Sequence, residues 1–271
     1  MIEPITDDQF DRFRRFIFDA AGISMADEKK TLVATRLAKR LRHHDLKSYG
    51  DYFKLMTAPD QTGEFQIAVD LLTTNETYFY REPAHFEVLA RLVREQRNAR
   101  RTFRVWSAAS SSGEEVYTIA MILAEELKTL GWEVVGTDLS SRMVLCCEQA
   151  VYSMARAEKL PKALLHKYCL KGKGQQEGLI KVSKELRARC RFARANLLEL
   201  SPGFGKFDVI FLRNVMIYFN GETKKKVVSN VSKNLNPGGY LFISHSESLH
   251  GISTDFETVA PAVYRLKERG K

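Results

Sequence analysis

The sequence has few cysteines, and their spacing excludes the common cysteine-based sites. Its four cysteines include no C-x-x-C pair, the spacing typical of zinc and dithiol redox sites. We therefore expect free thiols in a reducing compartment and no bound metal. No apolar run approaches the roughly 20 residues that span a bilayer, and the N-terminus lacks the features of a signal peptide. These absences predict a soluble, cytoplasmic protein without membrane insertion.

A glycine-rich phosphate-binding loop is also absent. No G-x-G-x-x-G occurs in the 271 residues, which argues against a dinucleotide site because the pyrophosphate needs those glycines. The formal net charge is +9 and favours an acidic partner, such as nucleic acid, anionic lipid or an acidic protein surface. Charge alone does not choose among them.

The chain changes character near residue 100. Residues 5 to about 70 predict helices, and Val33, Leu37 and Leu41 give one of them a buried stripe. From about residue 100, short β-rich runs alternate with helical stretches. Such alternation predicts a mostly parallel sheet with helices on both faces. A final run at 262–266 predicts an added antiparallel strand, and glycines between residues 170 and 180 predict a small hairpin insert.

Polar or small residues follow three of the predicted strands. A loop at 107–115 follows the first, Asp138 ends the second, and Arg213 and Asn214 follow the apolar strand at 209–212. Ligands of open α/β sheets bind at these carboxyl ends. Asp138 could accept hydrogen bonds from ribose hydroxyls or cap the next helix. Without phosphate-binding glycines, the pattern is compatible with a nucleoside that carries no phosphate, and S-adenosylmethionine is such a ligand.

Five separated runs resemble those of the CheR-type chemotaxis protein methyltransferases. They are 73–82 (TTNETYFYRE), 105–115 (VWSAASSSGEE), 196–198 (NLL), 213–219 (RNVMIYF) and 245–247 (HSE). The resemblance covers essentially the whole chain. It implies a Rossmann-like α/β methyltransferase domain at 89–271 with a small antiparallel β-subdomain insert at 168–192. It also implies an N-terminal all-α domain at 1–72 and an interdomain segment at 73–88 that contributes to the cofactor site.

The family's activity is implied by the same resemblance. The protein would transfer a methyl group from S-adenosylmethionine to glutamate side chains of bacterial chemoreceptors and release S-adenosylhomocysteine. The implied cofactor residues are Asn75, Thr77 and Arg81 at the methionine end, Glu115 at the amino group, Asp138 at the ribose, Asn196 and Leu197 at the adenine, and Arg213 and Asn214 beside the sulfonium. We expect Arg81 to orient the acceptor carboxylate, or else to bridge the two domains, and Tyr218 to line the methyl-transfer site.

Two segments are candidates for binding the receptor. Between residues 29 and 44 there are six lysines or arginines and no acid. Lys29, Arg36, Lys39 and Arg40 could steer the acidic methylation helices of transmembrane chemoreceptors, or form a solvated helix face. The insert, punctuated by Gly172, Gly174 and Gly178, resembles that of members which bind a receptor C-terminal pentapeptide by strand addition.

Two other functions compete with this interpretation. One is a non-catalytic, cofactor-binding receptor adaptor. The other is an RNA or DNA methyltransferase, which the basic charge would suit. The run 213–216 (RNVM) differs from the Asn/Asp-Pro-Pro-aromatic motif of many amino-methylating enzymes, so we expect no nucleic-acid partner.

Overall fold

The computed structural model describes residues 2–96, 101–128, 131–200 and 205–268. Contacts within the chain divide it into two compact units. The first contains residues 1–74 and 218–223, and the second contains 75–217 and 224–271. In the described ranges, no helix is both long enough and apolar enough to cross a membrane. The functional boundaries at 72/73 and 88/89 stay predictions.

The first unit is built from helices, as the sequence predicts. They are α1 (Asp7–Ala21), α2 (Lys30–His43), α3 (Tyr49–Met56) and α4 (Thr62–Leu72). The predicted stripe of α2, Val33, Leu37 and Leu41, is fully buried. It packs in a core that also contains Phe13 and Tyr52, whose rings stack with centroids 6.4 Å apart. Burial of these apolar side chains is the main stabilisation of the unit.

The second unit contains ten strands in the described residues. They are β1 (Phe103–Ala108), β2 (Trp132–Asp138), β3 (Val151–Ser153), β4 (Cys169–Lys171), β5 (Leu179–Val182), β6 (Cys190–Arg194), β7 (Phe207–Phe211), β8 (Leu235–Phe242), β9 (Phe256–Ala260) and β10 (Val263–Leu266). Seven of them form one sheet in the order β6-β2-β1-β7-β8-β10-β9. β6, β2, β1, β7 and β8 pair in parallel, whereas β10 is antiparallel to β8 and β9. The predicted fold class, including the final antiparallel strand, is confirmed.

The remaining helices alternate with the strands along the chain, and the strand order determines where a ligand can bind. They are α5 (Pro83–Glu95), α6 (Glu114–Leu127), α7 (Ser141–Gln149), α8 (Lys162–Tyr168), α9 (Lys184–Arg187) and α10 (Gly221–Ser232). The chain leaves β1 toward β2 and β6, then returns to β7 on the other side of β1. The order therefore reverses between β1 and β7, and a crevice at their carboxyl ends is the expected ligand site.

A second, smaller sheet is antiparallel and has the order β3-β5-β4. Gly172 lies in the turn between β4 and β5, where a Cβ atom would lie only 1.9 Å from the Gln176 carbonyl oxygen. The insert is predicted at 168–192, but the sheet also uses residues 151–153, and residues 190–192 lie in the main sheet beside β2. Tyr152 of β3 pairs with Ile180 of β5. Because these strands are distant in the sequence, no local sequence pattern predicts their pairing.

Candidate active site

The loop that follows β1 bends sharply at the carboxyl edge of the sheet. Ala109, Ser111 and Gly113 have positive φ angles of 64°, 49° and 95°, a region that side chains rarely adopt. At Gly113 a Cβ atom would lie 2.9 Å from Cys147 Sγ and 3.0 Å from the Tyr152 hydroxyl. Glycine is therefore required there, and the bend leads directly into the start of α6.

Asp138 organises this loop from the end of β2. Its Oδ2 accepts a hydrogen bond from Ser111 N at 2.8 Å, and its Oδ1 accepts one from Ser140 N at 2.9 Å. The cap of α7 is Ser140, whose hydroxyl accepts from Met143 N. Asp138 is 7% exposed, so its carboxylate is a buried acceptor at the ligand edge, where a ribose site is predicted.

Arg213, directly after β7, joins three segments of the edge. Its side chain is 1% exposed, and Nη1 lies 2.9 Å from Glu115 Oε2. Nη2 donates to the Arg81 carbonyl oxygen at 2.6 Å and lies 3.3 Å from Glu82 Oε2. The other oxygen of Glu115 accepts from the Ser107 hydroxyl at 2.7 Å. The structure thus brings the predicted residues Glu115 and Arg213 together across the point where strand order reverses.

Asn214 connects the loop after β7 with the loop after β8. Its φ is 56°, and its Nδ2 donates to Ser244 Oγ at 2.8 Å. Glu247 accepts from the backbone N–H groups of Asn214, Ser244 and Ile217. Burial raises the pKa of Glu247, and these donors oppose that rise. Ser244 and Glu247 were not among the predicted site residues, although Glu247 lies in one of the five runs.

The predicted residues Asn75 and Thr77 lie along the loop that follows β1. Ser111 Oγ donates to the Asn75 carbonyl oxygen at 3.0 Å. Thr77 is 9% exposed, and its carbonyl oxygen accepts from Arg156 Nη1 at 3.1 Å. Arg156 was missed because it lies outside every motif.

Arg81 turns its side chain back on its own segment. Nη1 donates to the Glu76 carbonyl oxygen at 2.9 Å, and the guanidinium carbon lies 5.7 Å from the centre of the Tyr78 ring. Its main-chain oxygen, as described above, is held by Arg213. The position is therefore well defined, and its role toward an acceptor carboxylate stays a prediction.

Asn196 and Leu197 follow β6 on the other side of Asp138. The backbone N–H of Ala195 donates to the Asp138 carbonyl oxygen at 3.0 Å, so the segment starts beside the ribose acceptor. Leu197 is 8% exposed, and its carbonyl oxygen accepts from Asn230 Nδ2 at 3.1 Å. These residues form the border of the edge where the resemblance implies adenine.

Tyr218 belongs to the first of the two units. Its carbonyl oxygen accepts a hydrogen bond from Ser24 N at 2.8 Å, and the next residue, Phe219, forms a β-bridge with Ile23. These contacts fix its backbone within the helical unit. Its role in lining the methyl-transfer site stays a prediction.

Glu82, His85 and His245 also lie close together, with potential ligand atoms within 4.8 Å of one another. The two imidazole rings are stacked, with centroids 4.4 Å apart and an angle of 20° between planes. In-plane lone pairs of parallel rings do not converge on a single ion, and the Arg213 guanidinium already neutralises Glu82. The cluster therefore does not have the geometry of a metal centre.

The chemistry of this edge fits S-adenosylmethionine. That molecule carries positive charge on its sulfonium and amino group, negative charge on its carboxylate, and no phosphate. The edge offers the carboxylates of Glu115 and Asp138 and the guanidinium of Arg213. Arg213 Nε is buried and has no hydrogen-bond partner among the described residues. Since buried donors are normally satisfied, a polar ligand group is the expected partner.

This edge and sheet define the class of protein as an α/β methyltransferase domain joined to an all-α unit. Residues 75–264 match the family model described as CheR methyltransferase, SAM binding domain. Residues 8–73 match the model described as CheR methyltransferase, all-alpha domain. The chain therefore belongs to the CheR methyltransferase family, as its five runs predict.

Curated relatives match along nearly the whole chain. The chemotaxis protein methyltransferase of Salmonella typhimurium is 36% identical over 267 residues, which cover 97% of this chain and 92% of the relative. That of Escherichia coli is 37% identical with the same coverage. Chemotaxis protein methyltransferase 2 of Pseudomonas aeruginosa is 38% identical over 262 residues, covering 96% of this chain and 93% of the relative.

Proposed function

We propose that this protein transfers a methyl group from S-adenosylmethionine to glutamate side chains of bacterial chemoreceptors. The observation that carries the proposal is the Arg213–Glu115 pair at the point where strand order reverses. It stands in a chain that matches a methyltransferase family along nearly all of its length. The names of the relatives connect them with chemotaxis, and glutamate as acceptor comes from the resemblance of the five runs.

Different residues at the carboxyl edge of the sheet would bind different parts of the cofactor. Glu115 would bind the amino group, Asp138 the ribose, and the border formed by Asn196 and Leu197 the adenine. S-adenosylmethionine, when bound, supplies a methyl group on a positively charged sulfur. An acceptor glutamate has a pKa of about 4.3 and is already ionised at neutral pH. The chain therefore needs no general base, and its contribution is to align the acceptor.

Arg81 is the residue proposed to orient that acceptor. A guanidinium favours the ionised form of a neighbouring carboxylate and can bind both of its oxygens. Arg81 uses one nitrogen, Nη1, to hold the Glu76 carbonyl oxygen. Its Nη2 and Nε could then serve a carboxylate, because a guanidinium has five N–H donors.

Receptor docking by the helical unit rests on its exposed cations. Lys29 and Lys39 are exposed. Arg36 instead donates to the carbonyl oxygens of Leu72 and Thr73, where α4 ends, and Arg40 is paired with Glu64. We therefore assign electrostatic attraction of an acidic receptor helix chiefly to the two lysines.

The small sheet is the proposed site for a receptor C-terminal peptide. Its order, β3-β5-β4, leaves β3 and β4 as the outer strands, and an extended peptide can add to an outer strand through main-chain hydrogen bonds. Leu170 in β4 is 65% exposed. The turn glycines Gly172, Gly174 and Gly178 shape the connection between β4 and β5, and do not themselves need to touch the peptide.

A labelling experiment, together with calorimetry of cofactor binding, tests the proposed function. The protein is incubated with methyl-labelled S-adenosylmethionine and membranes that carry chemoreceptors, or with total RNA. Label that appears on the receptor and is released by mild base supports a glutamyl methyl ester. Label on RNA would support a nucleic-acid methyltransferase. Cofactor binding in calorimetry without any transfer would support the non-catalytic adaptor.

A further inference from the structure

One arginine outside the predicted site contacts both backbone segments that carry predicted cofactor residues. Arg156 lies in a short 3₁₀ helix, Met154–Ala157, that follows β3 of the small sheet. Its Nη1 lies 2.5 Å from Glu114 Oε1 and 3.2 Å from Ser112 Oγ. The same nitrogen lies 3.1 Å from the Thr77 carbonyl oxygen. One guanidinium arm therefore meets the loop after β1 and the segment at 75–82.

The backbone of Arg156 makes a further contact with the 75–82 segment. Its carbonyl oxygen accepts a hydrogen bond from Phe79 N at 3.0 Å. Thr77 is 9% exposed, and Phe79 is fully buried. The side chain and main chain of Arg156 thus hold this segment at two points, two residues apart, on either side of Tyr78.

Glu114 explains why the position carries a cation. Its side chain is fully buried at the start of α6, and an ionised carboxylate there is costly unless it is paired and hydrogen-bonded. Ser112 Oγ donates to Glu114 Oε2 at 2.7 Å, and the positively charged Arg156 guanidinium donates to Oε1. A lysine could supply the charge, but its side chain is shorter, so its ammonium would not reach Glu114, Ser112 and the Thr77 carbonyl oxygen from the position that Nη1 occupies.

The same helix is anchored to the small sheet. Met154 N donates to the Gly178 carbonyl oxygen at 2.8 Å. Tyr152, in β3, donates through its hydroxyl to the Ser112 carbonyl oxygen at 2.8 Å. The 3₁₀ helix that carries Arg156 is therefore hydrogen-bonded to the small sheet. The position of Arg156 does not depend only on the segments that its guanidinium contacts, so Arg156 can hold those segments in place.

We propose that Arg156 is a positioning residue for cofactor binding, which holds Thr77 and its segment against the loop at 109–114. This inference rests on the proposed function, because it concerns the same cofactor site. Arg156 touches none of the residues proposed to orient the acceptor glutamate. Its loss is therefore expected to weaken cofactor binding more than turnover at saturation.

The test uses four variants of the whole protein, one of which is Arg156→Met alone. Arg156→Lys keeps a positive charge beside Glu114 but shortens the side chain that reaches the Thr77 carbonyl oxygen. Arg156→Met combined with Glu114→Gln removes both charges, so that no unpaired carboxylate stays buried. Arg187→Lys is the matched control, because Arg187 makes a hydrogen bond to the Val182 carbonyl oxygen in the small subdomain. For each protein, calorimetry with S-adenosylhomocysteine gives Kd, receptor methylation gives KM and kcat, and thermal unfolding gives Tm.

We expect Arg156→Lys to raise Kd and the KM for S-adenosylmethionine by about tenfold or more, and to change kcat by less than about threefold. The double variant should recover the Tm that Arg156→Met alone loses, yet still bind weakly. Arg187→Lys should bind like the wild type.

Two results would overturn the inference while leaving the proposed function intact. One is an Arg156→Lys protein that binds within about twofold of the wild type. The other is a double variant that recovers affinity together with stability, since that would reduce the Arg156–Glu114 pair to a stabilising ion pair. A wild-type protein that bound neither cofactor nor product would overturn the proposed function itself, and this inference with it.

Discussion

Buried Arg213 and partly buried Glu115 form an ion pair across the point where strand order reverses, with Nη1 and Oε2 2.9 Å apart. The two residues are 98 positions apart in the chain. Arg213 also holds the Arg81 carbonyl oxygen at 2.6 Å. A single side chain therefore fixes α6, the 75–82 segment and the loop after β7 relative to one another.

Arg213→Lys should weaken cofactor binding by about tenfold or more, because an ammonium cannot contact Glu115 and the Arg81 carbonyl oxygen with the same geometry. Calorimetry with S-adenosylhomocysteine measures the change. Arg101→Lys is the matched control, since Arg101 pairs with Asp208 at the amino end of the sheet. Equal affinity of the two variants would contradict the assignment of Arg213 to the site.

Arg40 should matter for stability more than for docking. Its Nε and Nη2 lie 2.8 and 2.6 Å from the two oxygens of Glu64, which is 6% exposed and also accepts from the Tyr52 hydroxyl. Although burial acts to raise the pKa of Glu64, these hydrogen bonds lower it to about 2. Arg40→Ala should lower the free energy of unfolding by about 3 kcal/mol, as loss of a buried partner does.

Urea denaturation of the whole protein measures that loss, with Lys39→Ala as the exposed control on the same helix. The control should change stability by less than about 0.5 kcal/mol. If Arg40→Ala were as stable as the control, the pair with Glu64 would contribute nothing. Arg40 would then be available for the receptor.

Stability should fall as pH decreases from about 6.5 toward 4 because of His85. Burial, with the nearby Arg213 adding to it and Glu82 opposing it, lowers the pKa of His85 to about 4 from its ordinary value of 6.5. In that window the unfolded chain binds a proton on His85 that the folded chain does not bind, so the free energy of unfolding falls as the pH falls. The full effect is about 3 kcal/mol.

His85→Phe should flatten this dependence between pH 5 and 7, where Glu64 does not yet titrate. The aromatic ring preserves packing against Phe242, whose centroid lies 5.6 Å from that of His85. Urea midpoints at several pH values provide the measurement, with His166→Gln on an exposed histidine as control. An unchanged slope in His85→Phe would show that another group titrates.

Lys29→Glu combined with Lys39→Glu should slow receptor methylation by about tenfold at low salt and reduce its dependence on ionic strength. The wild-type rate should fall as salt increases. Lys225→Glu with Lys226→Glu changes net charge equally on an exposed part of α10 and serves as control. A wild-type rate insensitive to salt, or equal effects of the two pairs, would count against docking through the helical unit.

Gly172→Ala should destabilise the small sheet, because its Cβ would lie 1.9 Å from the Gln176 carbonyl oxygen. Hydrogen exchange should become faster in β4 and β5 and stay unchanged in β1, and binding of a receptor C-terminal peptide should weaken. At Gly174 nothing lies within 4 Å of an added Cβ, although its φ is +57°. Gly174→Ala should therefore cost only about 1 kcal/mol, and equal exchange in both variants would contradict the steric argument.

The sequence by itself determined the fold class and the candidates at the strand ends. Apolar periodicity, as in Val33, Leu37 and Leu41, reflects which face of a helix must be buried, and that information lies within a few residues. Polar residues such as Asp138 and Arg213 were identifiable because packing does not explain them at the ends of buried strands. The five runs that resemble the CheR family identified the family and predicted a role for individual residues.

Only the tertiary structure decided which charged groups meet. The Ser244 hydroxyl donates to Glu82 across 162 positions of the chain, Arg36 and Arg40 of the basic helix acquire partners in or after α4, and Arg156 reaches Thr77 across 79 positions. Such contacts depend on how elements distant in sequence pack, and no local spacing encodes them. The Arg213–Glu115 pair combines both sources, since each residue was predicted from its strand end but their meeting required the fold.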